Sequence, residues 1–547
     1  MDLDELLRLL QDLAASGRDE DAKALWIARC ATDLELFTAY YFPHYCQYAF
    51  NDFHADYFAA VTFMERAIRR VRGAPRGYAK STLTALVKPL HDVGYGLEQF
   101  IVMVSETQDQ ANQKLRDIRS EVFNNNALID DFGIRFKTRT PGETQYIIYC
   151  GKNSCMFQSY GAGVEVRGIR YGAKRPTKII VDDGEDSDEV LNESLRAKKE
   201  NWFFQVISQL GSNDTNIEVI GTVLHPESLL KKLLKNPAYD ARLFKAIIEW
   251  SPNQKLWDQW TDIYTNLDNP NSKQDSEQFF ELNKEAMLER TKVLWPEKEP
   301  YLYLMKELVE KGRRAFMKEK QNEPLAGDEI LFEQIHFYRE VSEGFLIEKS
   351  GVIIPWKVLK NDKGEWLNAF AALDPAAGQT KPKPGAKSDF ACILTGLTDQ
   401  KNRLFVHEDW TRRASPTKQI SEVFEFHLRY GYQKVGVETN LFRNLLIPNL
   451  AAERKRRELE TKKEIQISFY DIEQTDKKEK RIYTLEPKVC HSHILFNRAL
   501  SGEFLGQMMA YPNVDHDDGP DTLEMLWGLV NNRYRPSALN VNAQGGR

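Results

Sequence analysis

The sequence predicts an α/β protein of more than one domain, and three observations carry that prediction. The chain has 547 residues, too many for one hydrophobic core at roughly 150 residues per domain. Apolar runs alternate with helical spacing from residue 60 to residue 230, and the alternation resumes after a turn at Asp362–Gly364 and continues to residue 535. That is the pattern of parallel strands covered by helices. Several of the apolar runs also stop at an acid, which gathers carboxylates at one edge of each predicted sheet.

Residues 2–30 carry leucines at helical spacing, divided near Gly17, and an aromatic-rich stretch follows to residue 60. Phe100–Ser105 reads as a buried strand, Gln108–Phe123 as a polar helix, and Tyr146–Cys150 with Cys155–Tyr160 as a hairpin. Lys178–Asp182 and Glu218–Thr222 are further strands. Residues 250–330 are mostly helical and hold Trp257, Trp260 and Trp295. Phe370–Asp374 and Lys434–Glu438 are strands, and Thr522–Val530 is a helix. The expected divisions are a helical region 1–45, a core 46–245, a helical segment 246–340, a second α/β unit 341–535 and a mobile tail 536–547.

Composition excludes several classes. At 42% hydrophobic and 28% charged, the chain is neither a long disordered segment nor a solenoid. Lys plus Arg is 74 against 80 Asp plus Glu, a net charge of −6. Bulk basicity therefore does not announce nucleic acid, although only local charge meets phosphates. The uncharged run Phe37–Asn51 falls short of the roughly 20 apolar residues of a membrane span, and the acidic start lacks the features of a signal peptide. Six irregularly spaced cysteines read as reduced thiols. Cys150 and Cys155 flank a turn, but no second pair has zinc spacing.

The first chemical constellation is a nucleotide site. Ala74-Pro-Arg76-Gly77-Tyr-Ala79-Lys80-Ser81-Thr82 precedes the helical run Thr82–Leu90 and has the form of a phosphate-binding loop. Small residues admit backbone N–H groups to phosphate, and the helix presents its positive end. Lys80 would reach the β- and γ-phosphates of ATP, and Ser81 would ligate Mg²⁺. Ala74 and Ala79 stand where glycine is usual, and Arg69–Arg72 make a poorly apolar strand. Lys178–Asp182 ends in Asp182, suited to hold Mg²⁺ through water, followed by Asp183, which would polarise the attacking water, with Glu185 as the alternative. Arg167 and Arg170, set among glycines, suit a mobile loop that brings a guanidinium to transition-state charge, and the spacing fits a surface loop with solvated arginines equally. Thr222 ends the next strand, where a hydroxyl could sense the γ-phosphate, although a plain strand end is the commoner meaning of Ile220-Gly221-Thr222.

The second constellation is a carboxylate metal site. Asp374 and Glu438 end apolar strands, and Asp517, Asp518 and Asp521 open the last helix. Such a cluster is costly unless cations neutralise it, and two Mg²⁺ or Mn²⁺ ions are the usual solution where phosphodiesters are cut. The competing meaning of the aspartates around Pro520 is a capped helix start. Lys477, Lys478, Lys480 and Arg481 could grip DNA phosphates beside the metals or form a solvated helix end. His491 and His493 read as incidental.

With both constellations in this order, residues 40–530 resemble the large terminase subunit of tailed bacteriophages. The motifs are Pro75–Ser81, Val166–Arg170, Ile179–Asp183, Ile220–Ser228, Phe316–Pro324, Leu373–Ala376, Val437–Glu438 and His516–Asp521. The resemblance implies an N-terminal P-loop (ASCE-type) ATPase with a helical lid and a C-terminal RNase H-like α/β nuclease. It implies that Lys80, Ser81 and Arg76 contact phosphate or Mg²⁺, with Gly77, Ala79 and Thr82 in the same loop. Asp182 would serve the metal, Asp183 would be the catalytic acid, Arg167 would resemble a trans-acting finger and Thr222 would lie in a coupling motif. Asp374, Glu438 and Asp518 match nuclease metal ligands, with Asp517 beside them, and Phe50–His54 resembles the adenine-side segment. The expected function is ATP-driven packaging of double-stranded DNA with cutting of concatemers, in the host cytoplasm. Expected partners are a portal protein, a small terminase subunit and further copies in a ring, with no membrane. The rival readings are a repair or recombination helicase-nuclease and an ATP-gated DNA-binding scaffold without nuclease activity.

Overall fold

The computed structural model describes residues 3–60, 66–325, 329–376, 390–438, 443–474 and 476–536. The Gly/Lys/Pro-rich loop that ends at Ser388–Asp389 and the tail beyond Pro536 lie outside the described residues. Contacts divide the chain into two units. The first comprises Met1–Pro252, Leu288–Leu308 and Ala315–Ala326, and the second Asn253–Met287, Val309–Arg314 and Gly327–Arg547. The helical segment 246–340 is thus apportioned between them.

In the first unit, helices Leu3–Ala15, Asp19–Cys30, Leu34–Tyr41 and Asp52–Ala60 precede the sheet. Its strands are β1 (Arg69–Gly73), β2 (Phe100–Ser105), β3 (Gln145–Cys150), β4 (Asn153–Gly161), β5 (Lys178–Asp182), β6 (Asn216–Gly221) and β7 (Asp240–Leu243). They lie in the order β3-β4-β2-β5-β6-β1-β7. The expectation of a parallel sheet needs one correction: β3 runs antiparallel to β4 as an edge hairpin, while every other neighbour is parallel. β8 (Ile247–Glu249) and β9 (Lys292–Val293) form a separate antiparallel pair.

β1 explains how an arginine-rich strand can be central. Val71 joins the apolar core with Val102, Ile179 and Val219, while Arg70 and Arg72 turn to the opposite face and are buried there. Arg72 pairs with Asp56 at 2.8 Å and Asp240 at 2.9 Å. Arg70 lies 3.3 Å from Glu218, which also meets Lys178 at 3.2 Å and the Tyr57 hydroxyl at 3.1 Å. Lys178 in turn meets Asp92 at 3.0 Å. Neighbouring strands β5, β6 and β1 are therefore joined by buried charges, and the helix Asp52–Ala60 is bound to the same network. Its cations hold the Asp92 carboxyl down at about 2 and lower that of Glu218 against the effect of burial.

The second unit is built on β10 (Phe337–Val341), β11 (Gly344–Ile347), β12 (Ile353–Pro355), β13 (Ala369–Asp374), β14 (Ala391–Thr398), β15 (Leu404–Arg412), β16 (Lys434–Glu438), β17 (Phe469–Ile472), β18 (Ile494–Asn497) and β19 (Arg535–Pro536). Their order is β12-β11-β10-β18-β15-β14-β13-β16-β17-β19. At the centre β13, β14 and β15 are antiparallel, and β16 and β17 then run parallel to β13, the arrangement expected of an RNase H-like sheet. Both faces are covered. Ala369, Ala371 and Leu373 pack with Ile420, Val423 and Phe424 of the helix Pro416–Tyr430. Phe370 and Ala372 pack on the other side with Leu523, Leu526 and Leu529 of the helix Asp518–Val530. This period-2 alternation fixes the register, because a slip of one residue would turn Asp374 from its site.

Lys178 is the cation shared by two buried acids, so Lys178→Met leaves Asp92 and Glu218 short of a partner in low dielectric. The variant is expected to lose about 3–5 kcal/mol, read by urea unfolding. For Asp92, whose carboxyl is lowered by folding, the stabilising contribution is present above about pH 4 and lost as pH falls through about 2. The acid limb of the parent's stability curve is expected to flatten in the variant.

Candidate functional site

The parallel strands of the first unit deliver their ends to one edge, and β1, β5 and β6 supply the site. After Gly73 the backbone turns through Ala74–Ser81, and the Ala74 N–H donates to the Gly221 carbonyl at 3.1 Å. Gly77 and Ala79 have φ of +89° and +55°. Glycine takes this region freely, whereas alanine incurs about 1–2 kcal/mol. The left-handed turn that glycine would serve is therefore present at Ala79. Ala74, the other departure, does not have positive φ. Thr82 then opens a wide π-type turn, Thr82–Val87, that continues into the helix Lys88–Gly94.

Lys80 is buried, with its ammonium donating to the Thr222 hydroxyl at 2.6 Å and the Ala74 carbonyl at 3.2 Å, and lying 4.0 Å from Asp183 Oδ1. Burial pushes its pKa down, while Asp183 and Asp182 pull it back up. The Ser81 hydroxyl donates to Asp182 Oδ1 at 2.9 Å, and Lys114 Nζ lies 2.6 Å from Asp182 Oδ2. Burial raises the Asp182 carboxyl and Lys114 opposes it. A hydroxyl beside a buried carboxylate is hard oxygen chemistry that fits Mg²⁺.

The two candidate catalytic acids have different surroundings. Asp183 has φ of +48°, its N–H bonded to the Ile220 carbonyl at 2.9 Å and its carbonyl to the Glu106 N–H at 3.0 Å. Its carboxylate is 49% exposed on the Lys80 side, and a Cβ on Gly221 would come within 3.1 Å of it. Glu185 is engaged elsewhere: its two oxygens accept from the Leu229 and Leu230 N–H groups at 2.7 and 2.9 Å. It thereby satisfies the start of the helix Leu229–Leu234. The open carboxylate at the phosphate loop is Asp183, and the alternative reading of Glu185 as a water-positioning base is corrected on that ground.

Arg76 is exposed, its Nε 2.7 Å from the Glu319 carboxylate. Arg167 is 77% exposed and pairs with Glu165 at 3.2 Å on the same loop. Among the described residues no bond joins it to its own phosphate loop. The aromatic segment Phe50–His54 touches the loop through His54 Nε2, 3.0 Å from the Tyr78 carbonyl. Burial lowers His54 to about 4, so it is neutral at pH 7. Trp295 lies 4.9 Å from His54 and 5.5 Å from Tyr78, ring to ring. Lys298 also donates to the Gly77 carbonyl. Sequence reasoning missed Lys114, Trp295, Lys298 and Glu319 as neighbours of the loop, because their partners lie far away along the chain.

In the second unit Asp374 ends β13 and Glu438 ends β16. The strands are parallel with Leu373 beside Val437, which brings the two carboxyl groups to neighbouring positions at one sheet edge. Burial and the charges of Asp521 and Glu438 hold Asp374 well above the usual carboxylate range, and burial and Asp521 raise Glu438. Asp518 and Asp521 are buried in the first turn of the last helix. Asp517 makes no capping bond; its carboxylate lies 2.7 Å from Lys478. Lys478 is also 3.3 Å from Asp521, and Arg481 is 2.9 Å from both Asp521 and Glu524. These two cations, expected to grip phosphates or lie in solvent, are instead counter-ions of the acids, while Lys477 and Lys480 are exposed.

Among the described residues no three His, Cys, Asp or Glu side chains already surround a common point at metal distance. The carboxylate-only donor set at two adjoining strand ends still fits Mg²⁺ or Mn²⁺ in chemistry. His491 and His493 are kept neutral by burial, each lowered to about 4, and His491 bonds the Val309 carbonyl.

No protein-family model matches the chain, and no curated protein matches it. Solved structures do. The chain is similar to the large terminase of a thermophilic bacteriophage, with 9% identity and a TM-score of 0.40, covering 89% of this chain and 99% of that one. It is similar to the HK97 bacteriophage large terminase, with 11% identity and a TM-score of 0.34 over 91% and 99%. A human cytomegalovirus terminase nuclease domain matches 31% of this chain and 88% of its own, with 13% identity and a TM-score of 0.24. These three solved structures are terminases or a terminase domain.

Two outcomes follow from the site geometry. Ala79→Gly relieves the left-handed alanine and is expected to stabilise the fold by about 1 kcal/mol, seen as a higher unfolding midpoint. Asp374 and Glu438 are raised by folding, so their contribution to stability is fully present below about pH 4 and lost as pH rises through the raised values. Asp374→Asn removes one of the facing acids. In EDTA its unfolding temperature is expected to exceed the parent's by about 2–4 °C at pH 8, a gap that closes toward pH 4.

Proposed function

We propose that this chain is an ATP-driven motor that moves double-stranded DNA into a procapsid and cuts concatemeric DNA with its own nuclease. The observation that carries the reading is the meeting of Lys80, Ser81, Asp182, Asp183 and Thr222, drawn from three separate stretches of sequence, at one edge of the first sheet. Lys80 reaches phosphate oxygens when ATP enters, with the Thr222 hydroxyl kept beside it. Asp183, open to water beside Lys80, orients the attacking water and accepts its proton. The Thr222 hydroxyl, held beside Lys80, reports occupancy to the segment after β6. Arg167, exposed and, among the described residues, not bonded to the phosphate loop of its own chain, suits delivery to a neighbouring copy's nucleotide. Ser81 and Asp182 would hold Mg²⁺, whose charge would neutralise that of the phosphates.

In the second unit Asp374, Glu438 and Asp518, with Asp517 beside them, would hold Mg²⁺ or Mn²⁺, which activates water and stabilises the leaving oxygen in phosphodiester cleavage. Lys478, now 2.7 Å from Asp517, would have to release that carboxylate for it to join the set. The reading carries with it a portal protein, a small terminase subunit, assembly into a ring and action in the host cytoplasm.

The test is direct. Lys80→Ala and Asp183→Asn are expected to lower ATP turnover by about 100-fold or more, whereas Glu185→Gln, which keeps an oxygen acceptor for the helix start, lowers it less than tenfold. Asp374→Ala is expected to abolish plasmid nicking in Mn²⁺ while sparing ATP turnover. Parental turnover in Lys80→Ala would sink the ATPase, and undiminished nicking in Asp374→Ala would sink the nuclease assignment.

A further inference from the structure

The stretch Glu319–Asn322 has no part in the chemistry above, yet it touches both the phosphate loop and the strand ends around it. Asn322 is fully buried. Its side-chain oxygen accepts from the Val223 N–H at 2.8 Å, and its amide nitrogen donates to the Phe244 carbonyl at 2.8 Å. Val223 lies just past the end of β6 and Phe244 just past the end of β7. β1 lies between these strands, joined to both at its end: Ala74 N–H to the Gly221 carbonyl at 3.1 Å, and Phe244 N–H to the Gly73 carbonyl at 2.8 Å. One amide therefore bridges the two strands that flank the one from which the phosphate loop emerges.

The backbone is shaped for this. Asn322 has φ of +53°, a region where asparagine is among the few tolerated non-glycine residues. Three residues earlier, the Glu319 carbonyl accepts from the Arg76 N–H at 2.9 Å. Lys320 donates to the Arg76 carbonyl at 3.3 Å and is held by Glu299 at 2.6 Å and Glu307 at 3.4 Å. The same short stretch thus holds the middle of the phosphate loop and the residue that follows Thr222.

We propose that Asn322 is a positioning residue of the ATPase: by bridging Val223 and Phe244 it holds Thr222 against Lys80. The proposal rests on the ATPase reading of the first unit. Without the amide, a buried N–H and a buried carbonyl lose their partners, and the Thr222 hydroxyl is no longer fixed where Lys80 meets it. Lys80 itself, Asp183 and the nucleotide contacts stay in place, so the loss falls on turnover rather than on ATP affinity.

The experiment uses the full chain in Mg²⁺ with ATP and compares Asn322→Gly, Asn322→Asp, Thr222→Val and the Thr222→Val/Asn322→Gly pair. Glycine keeps the left-handed backbone and removes the amide; aspartate keeps the acceptor for Val223 and removes the donor. Asn322→Gly is expected to lower kcat about tenfold with KM within about threefold, and Asn322→Asp to lower it less. In the Thr222→Val background the glycine substitution is expected to cost under twofold, because the hydroxyl it positions is gone. Full additivity, or unchanged kcat in a folded Asn322→Gly, overturns the proposal. Should Asn322→Gly fail to fold, the same cycle with Asn322→Asp decides it. A parent without ATP turnover sinks the ATPase reading and this proposal together, whereas a turning-over parent with additive variants sinks this proposal alone.

Discussion

Charges removed from water must meet a partner, and much of this chain is arranged by that requirement. In the first unit Lys178, Arg70, Asp92 and Glu218 satisfy one another across neighbouring strands, and Arg72 binds Asp56 and Asp240. Buried ion pairs add little net stability but are costly to break. They therefore select one pairing of strands over others. The aligned strand ends that result carry Asp182 and Thr222 to the phosphate loop.

The two acidic centres solve the same problem in related ways. Asp182 is flanked by the Ser81 hydroxyl and the Lys114 ammonium. Asp517 and Asp521 are flanked by Lys478, and Asp521 also by Arg481. In each, a side-chain cation lies against the carboxylates, so neither acidic centre is left as a bare cluster of negative charge. Asp374 and Glu438, facing each other at adjoining strand ends, are less well compensated, and their raised carboxyls express that.

How much of this was legible depended on whether the partner was local. Phe100–Ser105, Lys178–Asp182 and Lys434–Glu438 read as strands to the residue, because continuous apolar runs report burial on both faces. Arg69–Arg72 read poorly, since its arginines are neutralised by Asp56 and Asp240, one in an earlier helix and one in the last strand of the sheet. Glu185 looked like a spare base because the N–H groups it accepts belong to Leu229 and Leu230. Lys478 and Arg481 looked solvent-facing for the same reason, as their acids lie some forty positions on. The strand-ending acids were visible as a set because strand geometry alone brings them to one edge.

Ala79 brings out a last property of the phosphate loop. An ordinary side chain there occupies a backbone region disfavoured by about 1–2 kcal/mol, and a load of that size lowers the ratio of folded to unfolded chain by a factor of roughly 5–30. The turn beside Lys80 is thus imposed by its surroundings, the bonds of Lys80 to Ala74 and Thr222 among them, and not by the preference of its own residue.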